Sequence, residues 1–160
     1  MNTYEKAQAL VTQLSKRDWR ISFAESCTGG LAAAGIVDVP DASKVFDLSF
    51  VTYANEAKIR FVEVSEETIA QYGVVSEPVA AQMAQGAAKA ALAQVGVGIS
   101  GVAGPSGGTA RKPVGMVCFG FYMDGEIYTK TVQFGNIGRS EVRQKSVDFV
   151  YDTLLDLLGK

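Results

Sequence analysis

The stretch Ile21-Ser22-Phe23-Ala24-Glu25-Ser26-Cys27-Thr28-Gly29-Gly30-Leu31 decides how this chain is read. An apolar, strand-like run from Ile21 to Ala24 ends abruptly in a Glu. Three residues with nucleophilic or hydrogen-bonding side chains follow, then two glycines, then the helix-forming run Leu31 to Val37. A strand that passes through small residues into a helix aims backbone N–H groups, and the positive end of the helix dipole, at whatever sits above Ser26. Such a corner binds an anion or stabilises a developing oxyanion.

On the N-terminal side of this corner, residues 2 to 16 read as an amphipathic helix. Ala7, Leu10, Val11 and Leu14 share one face, and Asn2 with Glu5 has capping-box spacing. Arg20 to Ala24 is the first strand. The helix after the corner runs from about Thr28 and stops before Pro40, which pushes Val39 out of helical geometry. Phe46 to Tyr53 is aromatic and β-branched and reads as a strand. Asn55 is expected to cap a short helix, Glu56 to Val62, and Ser65 another that Gly73 ends. Ser76 caps a long Ala-rich helix from Glu77 to about Ala93, with Pro78 in its first turn. Val95 to Ser100 is a strand and Gly101 to Thr109 a glycine-rich loop. The strands Val114 to Met123 and Glu126 to Gln133 are joined by the hairpin pair Asp124-Gly125. Arg139 to Leu158 closes the chain as a helix. Helices and strands alternate early and a hairpin comes late, so the reading is α/β, one domain over residues 1–160, with a mixed sheet between helices.

Composition narrows the chemistry. The chain has 160 residues, 48% of them hydrophobic, and a formal net charge of −2. That balance gives no reason to expect nucleic acid or an anionic membrane as partner. The N-terminus does not read as a signal peptide, and no apolar run approaches the ~20 residues of a membrane span. Two cysteines without motif spacing suggest reduced thiols and a cytoplasmic setting. There is no histidine at all. A Ser-His-Asp triad, a Cys-His pair and any zinc site with His ligands are excluded. A nucleophile in this protein must be activated by Lys, by a carboxylate or by the local field.

Ser26 is the candidate nucleophile, against the plainer reading of a helix cap. Cys27 is its rival, since a thiol at a helix N-terminus is acidified, although it reads more simply as a small packing residue. Lys58 is the candidate base, against a solvated surface lysine. Its ordinary pKa of about 10.4 is too high for a base at neutral pH unless burial lowers it. Glu25, at the strand end, either holds Lys58, accepts backbone N–H bonds or caps the helix. Tyr53 and Asn55 orient Lys58 or touch substrate, or else pack and cap. The loop from Gly101 to Thr109 offers N–H groups in nest-like geometry for a phosphate or ribose, against a purely structural role. It lacks the Gly-Lys-Ser/Thr of a Walker A loop. Arg111 and Lys112 are further candidates to face a phosphate.

Four blocks in register carry a family resemblance. They are Ala24 to Gly30, Tyr53-Ala54-Asn55-Glu56-Ala57-Lys58, Gly73-Val74-Val75-Ser76-Glu77, and Gly101 to Thr109 with Lys112-Pro113-Val114-Gly115. The chain resembles the CinA C-terminal domain family, the nicotinamide-nucleotide amidases, over nearly its whole length. The resemblance implies a three-layer α/β/α sandwich and a homodimer. It implies hydrolysis of nicotinamide mononucleotide to the nicotinic acid nucleotide and ammonia, with neither metal nor organic cofactor. It places the catalytic serine on Ser26 and its lysine base on Lys58. Substrate contacts then fall to Cys27, Thr28, Gly29, Tyr53, Asn55, Ser100, Gly101, Gly104, Gly107, Gly108, Thr109 and Arg139. Ser100 stands where Thr is usual in the family. Arg139 falls on a mobile arginine that closes the family's site, but Phe134-Gly135-Asn136-Ile137-Gly138-Arg139 is longer than the usual Phe-Gly-Asp-Arg, which leaves Arg143 as the alternative. Two other readings are a pyridine-nucleotide or phosphate-binding module without turnover, motivated by Ser100 and the Arg139 spacing, and a serine amidase for another small amide.

Overall fold

The computed structural model describes residues 1–160. The elements in chain order are α1 (Thr3–Lys16), β1 (Ile21–Glu25), α2 (Leu31–Val37), β2 (Phe50–Val51), α3 (Asn55–Val62), α4 (Glu66–Tyr72), α5 (Glu77–Ala91), β3 (Val95–Gly101), β4 (Met116–Met123), β5 (Glu126–Gln133) and α6 (Arg139–Leu158). The strands form one mixed sheet in the order β2-β1-β3-β4-β5. β1 lies parallel to both β2 and β3, while β3, β4 and β5 run antiparallel in succession. The alternation of early helices with late hairpin strands thus yields the expected mixed α/β sheet flanked by helices. No helix is long and apolar enough to cross a membrane.

Strand periodicity divides the core between the two faces. Ile21 and Phe23 of β1, Val95, Val97 and Ile99 of β3, and Val117, Phe119 and Phe121 of β4 point to one side. There they meet Leu10 and Leu14 of α1, Ile36 of α2, and Val150, Tyr151 and Leu154 of α6. Ala24 and, on α5, Val79, Met83 and Ala87 make the smaller core of the opposite face with Val62 and Val64. α5 lies unusually close to the sheet because the strands present glycine to it. A Cβ on Gly96, Gly98 or Gly120 would come within 2.1, 2.2 and 2.2 Å of the carbonyl oxygens of Ala84, Ala80 and Ala80, respectively. Backbone cannot yield as a side-chain tip can. Gly98→Ala is therefore expected to cost about 1–3 kcal/mol by overpacking. A thermal melt followed by circular dichroism should show the midpoint lowered by several degrees; an unchanged midpoint would mean the two layers are not in register.

Local signals are met at most ends. Asn2 and Glu5 form the capping box of α1, Ser65 and Ser76 accept from the N–H groups of Thr68 and Val79, and Asp124 and Gly125 both take positive φ in the hairpin. Four expectations need correction. The helix after the corner begins at Leu31 rather than Thr28, because Gly29 and Gly30 adopt φ of +59° and +102° and hold the chain in a turn. The expected strand Phe46–Tyr53 shrinks to Phe50–Val51, with one isolated bridge from Phe46 to Ile21. Side chains take over the ladder there: Ser49 Oγ accepts from Phe23 N–H, and Ser22 Oγ donates to the Leu48 carbonyl. Asn55 is the first helical residue of α3, not its cap; Ala54 holds the cap position without a side-chain bond. The strand read from Val114 starts at Met116, since Gly115 is a turn residue at φ +90°.

Candidate active site

The carboxyl ends of β1 and β3, the parallel neighbours at the centre of the sheet, open on a cleft. Ser26 leaves the end of β1, with its N–H already donated to the Ile99 carbonyl of β3. Across the cleft, α3 delivers Lys58 from the fourth position of its first turn. Lys58 is only 1% exposed, although a lysine normally keeps its ammonium in water. Its Nζ lies 3.0 Å from Ser26 Oγ, 2.6 Å from the Thr52 carbonyl and 3.1 Å from the Tyr53 carbonyl. Carbonyls accept and never donate. In the neutral amine they therefore take two N–H groups and turn the nitrogen lone pair toward the Ser26 hydroxyl. Burial lowers the Lys58 pKa from its ordinary 10.5 to about 8, so a useful fraction of neutral amine exists near neutrality.

Glu25 does not touch Lys58. Its carboxylate is fully buried and accepts from Thr28 Oγ1 at 2.6 Å, from Ala32 N–H at 2.9 Å and from Ala33 N–H at 3.0 Å. Of the three roles open to it in the sequence, the contact with Lys58 is not made, while the backbone N–H bonds are made and cap the start of α2. The positive end of α2 is thus answered from within the protein and is not offered to an anion above Ser26. What the corner does offer is its turn. Gly29 N–H is donated to the Ser26 carbonyl, whereas the N–H groups of Cys27 and Thr28 have no protein acceptor.

The cleft, of about 180 Å³, is lined by Ser26, Cys27, Tyr53, Asn55, Lys58, Val74, Val75, Ser100, Gly101, Ala103 and Arg139. Seven of the expected substrate-contact and catalytic positions, on or next to β1, α3 and β3, thus meet in one place, together with Arg139 of α6. Arg139 bridges the mouth: it donates to the Gly104 carbonyl at 2.9 Å and to Tyr53 Oη at 3.1 Å. Tyr53 addresses Lys58 through its backbone carbonyl, while its ring stays largely exposed. Ser100 donates to the Val74 carbonyl and pins the 73–76 segment to β3. The alternative arginine, Arg143, lies behind the corner, where Nε donates to the Cys27 carbonyl at 2.9 Å and Nη2 to the Thr28 carbonyl at 3.3 Å. Neither arginine pairs with Glu141 or Asp148; Asp148 is bound instead by Lys6 and Thr3.

Other expected contacts sit outside the lining. Thr28 turns its hydroxyl inward to Glu25. Gly29 is exposed on the far side of the turn, next to Arg143. Gly107, Gly108 and Thr109 form an exposed rim, where Thr109 Oγ1 accepts from Lys112 N–H. The Lys112 ammonium is spent on the carbonyls of Tyr72 and Val75, and Arg111 is exposed. Sequence reasoning did not single out Val74, Val75 and Ala103 as walls, although the first two lie in the Gly73–Glu77 block. The Thr52 carbonyl carries no sequence signal, because any residue supplies one. Cys27 lines the cleft, but burial pushes its thiol up to about 11, opposite to the acidified thiol expected at a helix N-terminus. The helix end is capped by Glu25, so it cannot stabilise a thiolate.

The model of the CinA C-terminal domain matches residues 3–158. A nicotinamide-nucleotide amidohydrolase PncC from Enterobacter agglomerans is 46% identical over 153 residues, covering 95% of this chain and 93% of that protein. A CinA-like protein from Kosmotoga olearia is 44% identical over 155 residues, 94% of this chain; the chain spans only 37% of that relative's length. Among solved structures, the competence/damage inducible protein CihA from Agrobacterium tumefaciens superposes with a TM-score of 0.95 at 37% identity, covering 100% of this chain and 97% of that one. With residues 3–158 matched by the family's model and a solved relative superposing at a TM-score of 0.95, the chain belongs to the CinA C-terminal domain family.

Proposed function

We infer that the protein hydrolyses the carboxamide of nicotinamide mononucleotide, giving nicotinic acid mononucleotide and ammonia. The observation that carries the reading is the buried Lys58 amine 3.0 Å from the Ser26 hydroxyl. The relative from Enterobacter agglomerans that bears the name of this amidohydrolase supports the choice of substrate. Lys58 takes the Ser26 proton as Oγ attacks the amide carbon. The tetrahedral oxyanion is held by the Cys27 and Thr28 N–H groups, each such donor being worth about 3–4 kcal/mol in comparable sites. The Lys58 ammonium returns the proton to the departing nitrogen, and ammonia leaves. Water, deprotonated by Lys58, then cleaves the acyl ester and restores Ser26.

The cleft is smaller than the roughly 300–1,000 Å³ of ordinary ligand pockets. It takes one aromatic ring with its amide and leaves ribose and phosphate at the mouth, beside Arg139 and the 101–109 loop. The assembly expected is a homodimer, which light scattering on the eluting protein checks. The function itself is tested by incubating the protein with nicotinamide mononucleotide, the riboside and free nicotinamide and measuring ammonia. Release from the mononucleotide, faster than from the two smaller amides, is the expected result. Binding without release would instead make the protein a nucleotide-binding module, and release from unrelated amides alone would make it a different amidase.

A further inference from the structure

Arg143 is a half-buried guanidinium with no carboxylate partner. It also lies outside the cleft lining. Its two bonds both go to one short piece of backbone, the carbonyls of Cys27 and Thr28. The fit is close: a Cβ on Gly29 would lie 3.2 Å from Nη2. The Cys27–Thr28 peptide is trans, like every non-proline peptide in the chain. In a trans peptide the N–H points opposite to the C=O. By holding the Cys27 carbonyl on the α6 side, Arg143 turns the Thr28 N–H to the opposite side, away from α6. A cation on a peptide carbonyl also polarises the amide, which makes its N–H a better donor.

We propose that Arg143 is a positioning residue that fixes and polarises the turn at Ser26 so that the Thr28 N–H serves the oxyanion, rather than a second arginine that binds substrate phosphate. Arg139 and Arg143 then divide the work four residues apart on α6, with Arg139 facing the cleft and Arg143 bracing the turn behind it. The proposal rests on the amidase reading only in its choice of substrate; the bracing itself concerns any acyl or phosphonyl group transferred to Ser26.

The test uses the full chain with Arg143→Met and Arg143→Lys, each checked for folding by its thermal melt. The expected result for Arg143→Met is a kcat on nicotinamide mononucleotide lowered roughly tenfold to a hundredfold, short of the loss on deleting a donor outright. KM should stay near the wild-type value for both the mononucleotide and the riboside. Arg143→Lys recovers part of the rate, and added methylguanidinium recovers part of it in Arg143→Met. The rate at which a fluorophosphonate labels Ser26, which also forms an oxyanion at the corner, should fall by a similar factor. An unchanged kcat overturns the proposal. So does a rise in KM confined to the mononucleotide, which would mark a phosphate contact. A wild type that is labelled at Ser26 but releases no ammonia would sink the amidase reading while labelling rates still judge Arg143. A wild type that is not labelled overturns the proposal itself.

Discussion

Ser26→Ala is expected to lower kcat on nicotinamide mononucleotide by about four to six orders of magnitude, with the dissociation constant for the substrate little changed. The hydroxyl oxygen is the one atom that would form a bond to the substrate, and it already lies within hydrogen-bond distance of the Lys58 amine. Binding is expected to survive because the cleft walls come from other residues: Val74, Val75, Ala103 and Asn55 keep their places. Stability should fall by only about 1 kcal/mol, the usual worth of one hydrogen bond, since Lys58 keeps two carbonyl partners. The neighbouring Cys27 supplies the control. Its thiol stays protonated until about pH 11, and Cys27→Ala should leave turnover within a few-fold of wild type, the thiol being a packing group. Ammonia release and calorimetric binding measured on both variants decide the matter. Activity kept by Ser26→Ala and lost by Cys27→Ala would transfer the nucleophile to sulfur.

Features with short-range causes were legible in the sequence. The capping box at Asn2, the caps at Ser65 and Ser76 and the Asp124-Gly125 turn all depend on contacts within a few residues. The corner at Ser26 belongs with them, because a strand, small residues and a helix-forming run lie next to one another. What the sequence withheld is set by contacts across the fold. Phe46 to Val51 has strand composition, yet Ser22 and Ser49 replace ladder bonds with side-chain bonds that only a three-dimensional neighbour reveals. Glu25 has the same sequence whether it meets Lys58 or turns back over α2; the choice is made by where Ala32 and Ala33 come to lie. Lys58 and Ser26 are 32 residues apart, and no spacing rule joins a strand end to a helix on the opposite wall. The glycines of β3 and β4 were visible but their purpose was not, since it is defined by the carbonyls of α5.

The second large effect belongs to Lys58 and reads on both rate and stability. Lys58→Met is expected to reduce kcat by about 10⁴-fold or more, leaving what the oxyanion donors and binding supply alone. In the wild type, only the neutral amine can accept the serine proton. Activity should therefore climb about tenfold per pH unit below about 8 and level off above it. Stability carries the same signature. The folded-state pKa of Lys58 is depressed from 10.5 to about 8 by burial. Below about pH 8 the residue is charged in both states, and the folded protein bears the full cost of burying an ammonium. Between about 8 and 10.5 the unfolded chain binds the proton that the folded one has lost, so stability rises with pH, in total by about 3 kcal/mol. Two thiols oppose this at the upper end, because burial raises Cys27 and Cys118 above their ordinary 9.0 and holds their protons in the folded state. Between pH 8 and 9 Lys58 by itself contributes about 1 kcal/mol, and since unfolded thiols near 9.0 already begin to ionise there, that contribution is read as the difference between wild type and Lys58→Met. Urea unfolding at those two pH values should show the wild type gaining about 1 kcal/mol relative to Lys58→Met. An equal slope in both proteins, together with an activity profile flat from pH 6 to 9, would mean the amine is not the group that titrates, and the base would have to be sought elsewhere.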